Sequence, residues 1–325
     1  MNLFLRTILR LSCAVPPPLV QFLAGREPSV LLYHGVPRQS RLRSKYAFDA
    51  DAFENQMIYL KSKFSFITKD HFFMDYQRCK HKYLLITFDD GFRNNATVAA
   101  DILIRHQVPA IFFVCNRHVG TGRLLWFNYL AALELRFPHS SLEFRGASYD
   151  MSPERRAASV NDLTCRLLDL SPHPEAMYSA IANELPPWES FVSQAEAEDW
   201  FLGMTENQMR ELDANPLFSV EAHTVDHPFL TRCNSDELVR QIGENKTYIE
   251  DVCSKKVVAV AYPSGDYNNG VLEACQRLGL NAGYAVAPSV NKWSHLEIPR
   301  AGIYQSAREV ALFKALWARR RVGDG

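Results

Sequence analysis

Two adjacent carboxylates, Asp89 and Asp90, close the run YLLITFDDG at residues 83–91. Neighbouring carboxylates at a strand tip repel each other unless a cation or a proton relieves them, so one suits a metal ligand and the other a base. Taken alone, Asp-Asp-Gly is more often an ordinary turn. A second cluster, His223-Thr224-Val225-Asp226-His227, sets two imidazoles four residues apart, and on one helical turn that spacing aims both at a single ion. Such a pair by itself is common and more often binds nothing. Joined with Asp90, it supplies His, His and Asp: three N/O ligands with a position left open, which is the make-up of a catalytic metal site. Zinc is the natural ion, although this ligand type also accepts cobalt, nickel or iron. Asp226, between the histidines, suits a partner that orients one imidazole, with an exposed surface position the simpler expectation. In the third cluster, AYPSGDYN at residues 261–268, Pro263 and Gly265 force a sharp turn. That turn leaves the Ser264 amide facing a ligand, and an ordinary strand-ending turn has the same signature.

The elements that must carry these clusters follow a repeated order of strand, loop and helix from residue 29 onward. SVLLYHGV begins as a short apolar run and ends in a polar pair, as does YLLITFDDG. Both read as buried strands whose functional ends are exposed. FENQMIYLKSKF places Phe53, Met57, Leu60 and Phe64 on one face of a helix. NNATVAADILIRHQ reads as the next helix and PAIFFV as a buried strand. After residue 204 the rhythm resumes: a helix capped by Thr205, the strand FSVEAH, a helix over SDELVRQIGENKTYIEDV, the apolar strand VVAVAY, a helix ending at Gly279 and the strand AGYAV. Strands alternating with helices of this length imply parallel βαβ units, in a closed barrel or an open doubly wound sheet. Residues from about 120 to 204 interrupt the rhythm. They read as an α-rich insertion with helices around Leu124–Leu135, Ala157–Leu170 and Pro174–Leu185.

The chain's 325 residues allow one large α/β domain or two ordinary ones. A hydrophobic fraction of 47% excludes a largely disordered chain. With 36 basic and 36 acidic residues the net charge is zero, which argues against a general nucleic-acid binder. The seven cysteines include no Cys-x-x-Cys pair and suit buried thiols in a reducing compartment. No apolar run reaches the roughly 18 residues of a membrane span. Arg6 and Arg10 split the N-terminal apolar stretch, which disfavours a cleaved signal.

The order of the clusters, TFDDG, then HTxxHPxL, then YPxG after a strand, resembles the polysaccharide deacetylases of carbohydrate esterase family 4, the NodB-like domain. The likeness covers roughly residues 29–119 and 205–304. It implies an α/β fold, a distorted (β/α)7 barrel, here with an α-helical insertion. The implied activity is metal-dependent removal of N-acetyl groups from an amino sugar in a bacterial polysaccharide, oligosaccharide or glycolipid precursor. On the matching positions it makes Asp89 the catalytic base, and Asp90, His223 and His227 the ligands of a divalent metal, Zn2+ first. The Ser264 amide becomes the oxyanion donor. The family's arginine in the third motif, which braces the base, falls on Ala261, and Arg300 in IPRAGI is expected to supply the missing guanidinium from a later strand. The family's general acid is a His in a Leu-x-His motif near the C-terminal end. After residue 265 the only histidine is His295, whereas Leu32-Tyr33-His34 has the motif at the other end, where circularly permuted members carry it. His34 is therefore the expected acid and His295 the second choice. Two other readings stay open: a non-catalytic member that binds glycan, and a hydrolase of a small non-sugar amide.

The implied partner is an N-acetylated glycan, with no nucleic acid. In the insertion, Trp126, Trp188 and Trp200 are either sugar-stacking residues or helix-packing ones. The barrel is expected over residues 29–310, between a basic and apolar segment at 1–28 and a basic tail at 311–325. LFLRTILRL and ALFKALWARRR mix apolar residues with arginine at helical spacing, which suits contact with an anionic membrane surface or packing on the barrel. The expected location is cytoplasmic with peripheral contact at the inner membrane, export being the alternative.

Overall fold

In the computed structural model, residues 29–38, 49–75, 83–170, 173–286, 294–304 and 306–312 are described. Both terminal segments singled out above, apart from the start of the second, lie outside them. The strands are β1 (Ser29–Tyr33), β2 (Ser65–Phe66), β3 (Tyr83–Phe88), β4 (Ala110–Val114), β5 (Ser141–Phe144), β6 (Ala147–Asp150), β7 (Phe218–Ala222), β8 (Ala259–Ala261), β9 (Ala282–Val286) and β10 (Ile298–Gly302). Seven of them run parallel in the order β1-β10-β9-β8-β7-β4-β3, and β3 pairs back onto β1. The sheet is thus a closed barrel, with the two-residue β2 attached outside it to β3. This is the distorted (β/α)7 barrel that the sequence implies.

Closure explains why the strands read as continuous apolar runs: each is buried on both faces. Alternate side chains of β3 separate into two cores. Leu84, Ile86 and Phe88 join the shell packed under the helices, while Leu85 joins Val30, Ile111, Phe113, Ala261, Tyr284 and Ile298 inside the barrel. Continuing each inward row by two residues leads from Leu85 through Thr87 to Asp89, from Glu221 to His223, and from Ile298 to Arg300. Strand periodicity therefore delivers the polar residues to the C-terminal mouth, where parallel α/β barrels hold their sites. Lower in the barrel, the buried Glu221 accepts from the Val258 and Ala259 amides at 3.0 and 2.9 Å and pairs with Lys69. Its charge is thereby compensated, as burial requires.

The helices on the outside begin with α1 (Ala50–Lys61), capped by Asp49, and α2 (Lys69–Asp75), whose Phe72 enters the inner core. A π-helical turn at Asn95–Ala99 leads into α3 (Ala100–Arg105). The insertion carries α4 (Trp126–Arg136), α5 (Arg156–Leu168), α6 (Pro174–Glu184) and α7 (Gln194–Trp200) around a core of its own. Three of these helices fall where the periodicity places them. The antiparallel hairpin β5–β6 does not: its Arg145-Gly146 turn has both residues at positive φ, 48° and 74°, and lacks the Asn-Gly or Asp-Gly that would announce it. The barrel then resumes with α8 (Glu206–Ala214), α9 (Ser235–Val239), α10 (Asn245–Cys253) and α11 (Asn269–Arg277). Thr205 and Gln208 form a full capping box on α8. No helix among the described residues is long and apolar enough to cross a membrane.

Candidate active site

The mouth of the barrel begins with the tip of β3. Successive strand residues face opposite sides, so Asp89 and Asp90 could not both turn inward in extended backbone. Asp90 adopts φ 76° and Gly91 φ 77°, which turns the second carboxylate toward the first. A side chain at residue 91 would meet Val114 at 3.1 Å and Val119 at 3.2 Å, so glycine is required here on both counts. The strained Asp90 is held by the buried His118, whose Nδ1 lies 3.0 Å from the Asp90 carbonyl and whose Nε2 lies 2.8 Å from the Phe201 carbonyl.

Arg300, on β10, closes on Asp89 with two parallel hydrogen bonds: Nη1 donates to Oδ1 at 2.7 Å and Nη2 to Oδ2 at 2.8 Å. Such bidentate charge-assisted pairs fix orientation as well as charge. The guanidinium stands over the Phe113 and Tyr284 rings, 5.4 and 6.0 Å from their centroids. Burial pushes the Asp89 carboxyl up, but Arg300, with His223, outweighs it and holds the group below its ordinary value. Position 261, where the third-motif arginine would stand, is a buried alanine on β8.

The His223–His227 segment is not helical. β7 ends at Ala222, and the chain makes an irregular turn with Thr224 and His227 at φ 72° and 52°. The two imidazoles converge through this turn: their ring centroids are 5.0 Å apart. Asp90 Oδ1 lies 3.3 Å from His223 Nε2 and 3.4 Å from His227 Nε2. Tetrahedral ligands at about 2.1 Å from an ion stand roughly 3.4 Å from one another. One ligand atom from each of the three residues lies within 4.8 Å of the others. Asp90 Oδ1 is buried without an aligned hydrogen bond, and His227 Nδ1 is buried without one too. These residues fit a divalent cation: an acceptor starved of donors faces two imidazole nitrogens at ligand spacing. His223 Nδ1 lies 2.8 Å from the Ala261 carbonyl, the kind of contact that fixes a ligating tautomer. Burial lowers the His227 imidazole to about 4, Asp90 pulling the other way. His223 is raised despite burial, by Asp89 and Asp90.

Asp226 is not the exposed surface residue expected. It is buried, and its carboxylate accepts from Arg117 Nε at 2.6 Å, Arg240 Nη2 at 2.6 Å and Gln241 Nε2 at 2.7 Å. It therefore anchors the turn rather than an imidazole. The insertion grips the same turn: Tyr178 Oη donates to the Asp226 carbonyl at 2.9 Å and Trp126 Nε1 to the His227 carbonyl at 3.3 Å. Asn245 Oδ1 accepts from the amides of His223 and Thr224 at 2.8 and 2.9 Å. None of Arg117, His118, Tyr178 and Asn245 stood out in the sequence, because what they support is a backbone turn that no motif describes.

His34 follows β1 directly and is half-buried at the same mouth. Its carbonyl accepts from Asn95 Nδ2 at 2.7 Å, and the Asp89 amide donates to the neighbouring Tyr33 carbonyl at 3.0 Å. Burial lowers its imidazole; Asp90 and Asp89 act upward on it, Arg300 and His223 downward. His295 stands elsewhere: it precedes β10, is exposed and packs 6.2 Å from Phe73 of α2. That is the end of the strands opposite to Asp89, so the second-choice acid is excluded by position. Ser264 occupies the turn after β8, exposed, with left-handed φ 57°. The turn is closed by the Gly265 and Asp266 amides, on the Tyr262 and Pro263 carbonyls, and not by that of Ser264.

A closed parallel barrel thus gathers two carboxylates, two imidazoles and a buried guanidinium at its mouth. The chain belongs to the polysaccharide deacetylase family, whose model matches residues 77–140 and 172–283. That match includes Asp89, Asp90, His223, His227 and Ser264; His34 and Arg300 lie on either side of it. A putative polysaccharide deacetylase of Bacillus subtilis (strain 168), YxkH, is 27% identical over 85 residues, which is 26% of this chain and 30% of that protein's length. Two solved structures share the fold. The Streptococcus pyogenes deacetylase PplD, in complex with acetate, superposes with a TM-score of 0.57 at 17% identity over 90% of this chain and 99% of that one. IcaB from Ammonifex degensii gives 0.56 at 18% identity, over 91% and 98%.

Proposed function

We propose that this deacetylase hydrolyses the N-acetyl group of an amino sugar in a glycan, with Asp89 as base and His34 as acid, and with Asp90, His223 and His227 holding a divalent cation, zinc foremost. The observation that carries the reading is the bidentate Arg300–Asp89 pair beside the Asp90–His223–His227 group. When bound, the cation supplies Lewis acidity, lowering the pKa of a bound water toward about 7 and polarising the acetyl carbonyl.

The protein's own groups then divide the remaining work. Asp89, kept ionised by Arg300, accepts a proton from the attacking water as the C–O bond forms. The Ser264 amide donates to the oxygen on which negative charge develops. His34, as imidazolium, gives its proton to the amide nitrogen as the C–N bond breaks, releasing acetate and the free amine. Arg300 reaches the Asp89 carboxylate from β10, which weighs against the non-catalytic alternative that the missing arginine at position 261 kept open. The test is acetate release from N-acetylated glycans by metal-loaded protein, with small amides in parallel. Asp89→Asn should retain the metal and lose turnover by at least about 100-fold. Binding of glycan with no acetate released would sink the hydrolytic reading.

A further inference from the structure

The tryptophans that the sequence offers for sugar stacking are committed elsewhere: Trp126 and Trp200 belong to the insertion core, and Trp188 packs against it. A different ring stands at the mouth. Tyr304, two residues past the end of β10, is 38% exposed, and its ring lies 6.0 Å from that of His34 at a tilt of 31°. Its seat is Gly302, the next inward position above Arg300. A Cβ at residue 302 would fall 2.4–2.6 Å from Tyr304 Oη, Cζ and Cε2. The backbone of Gly302 is outside the left-handed region, so the ring, and not the dihedral angle, demands glycine there.

Chemistry fixes where the sugar must lie. The nitrogen protonated by His34 is bonded directly to a pyranose carbon, so the sugar ring sits next to that imidazole when the proton is delivered. We propose that Tyr304, seated on Gly302 beside His34, is the platform on which the pyranose ring of the amino sugar stacks. The inference rests on the deacetylase reading and adds a sugar subsite formed by a partly exposed aromatic ring, whose hydroxyl end packs on Gly302 and which offers apolar surface to the C–H side of the sugar.

Two measurements on tri-N-acetylchitotriose test it: steady-state kinetics of the metal-loaded enzyme, and calorimetric binding in an Asp89→Asn background. Tyr304→Ala should weaken both KM and Kd roughly ten-fold, as loss of an aromatic stacking partner does, and Tyr304→Trp should restore most of the affinity. Gly302→Ala should weaken binding in the same way by displacing the ring. The double variant Gly302→Ala/Tyr304→Ala should be no weaker than Tyr304→Ala alone, because the added methyl then meets no ring. A Tyr304→Ala loss confined to kcat, an unchanged KM, or additive effects in the double variant would overturn the platform. Acetate release with a KM indifferent to Tyr304 would sink the platform and leave the deacetylase reading intact. Tyr304-dependent binding without acetate release would do the reverse.

Discussion

Arg300 and Asp89 form a buried pair in which each partner needs the other. Arg300 is 4% exposed and Asp89 3%, so removing the guanidinium strands a carboxylate in a medium that disfavours its charge. Arg300→Ala should lower stability by about 3–5 kcal/mol, the usual cost of breaking a buried pair, and should raise the Asp89 pKa. Two readouts separate these effects. The acidic limb of kcat/KM should move to higher pH, because Asp89 now gives up its ionised form earlier. The stability difference between wild type and variant should be full above the unfolded carboxylate value of about 3.9 and shrink as pH falls through the depressed folded value. An unmoved acidic limb with intact turnover would show that Asp89 needs no brace. Asp89, Asp90, His223 and His227 were legible because their motifs, each common alone, follow one another in an order that is specific in combination. Arg300 was legible only through an absence, the alanine at 261, and its register on β10 decides that it points inward.

The elements show a similar division. Strand periodicity made the parallel βαβ units readable, since strands buried on both faces give apolar runs that end in polar tips, while closure into a barrel followed only from the family resemblance. The turn at 223–227 was misread as helical because His-x-x-x-His satisfies helical spacing equally well. What holds it open is tertiary: Asn245, Gln241 and the insertion residues Tyr178 and Trp126 hydrogen-bond its backbone, and the Asp226 carboxylate ties it to the Gln241 side chain. Arg117 links these parts, since it pairs with Asp226 and Glu175 and stacks 4.1 Å from the Tyr178 ring centroid. If the insertion braces the ligand turn, Arg117→Ala should release metal to a chelator about ten-fold faster, the scale on which supporting contacts of metal ligands act. Arg117→Lys should recover only part of that loss, because a lysine makes no stacked, forked contact. Equal release rates with a lowered melting temperature would assign Arg117 to global packing alone.

At the scale of the whole barrel, the mouth concentrates charge that the neutral composition conceals. Asp89 and Asp90 sit within one buried cluster with His34, His223 and His227, and only Asp89 has a full-time cationic partner. A divalent cation at Asp90, His223 and His227 would therefore stabilise the folded chain and not the unfolded one. At a free concentration about 100 times Kd that contributes about 2.7 kcal/mol, or several degrees in melting temperature for a domain of this size. The pH dependence has opposite signs in the two forms. In metal-free protein the raised His223 value means that its charged pairing with Asp90 contributes fully below the unfolded imidazole value of about 6.5 and is lost as pH rises through the folded value. In the loaded protein the cation requires that imidazole neutral, so binding strengthens over the same interval. Asp90, held below the carboxylate range against burial chiefly by the imidazoles around it, stays ionised throughout, and His227, lowered to about 4, stays neutral. The gap in melting temperature between zinc-loaded and chelator-stripped protein should thus widen steadily from pH 5 to pH 8, as read by calorimetry. A gap of the same size at every pH would mean that His223 is no ligand, and no gap at all would remove the cation from the site.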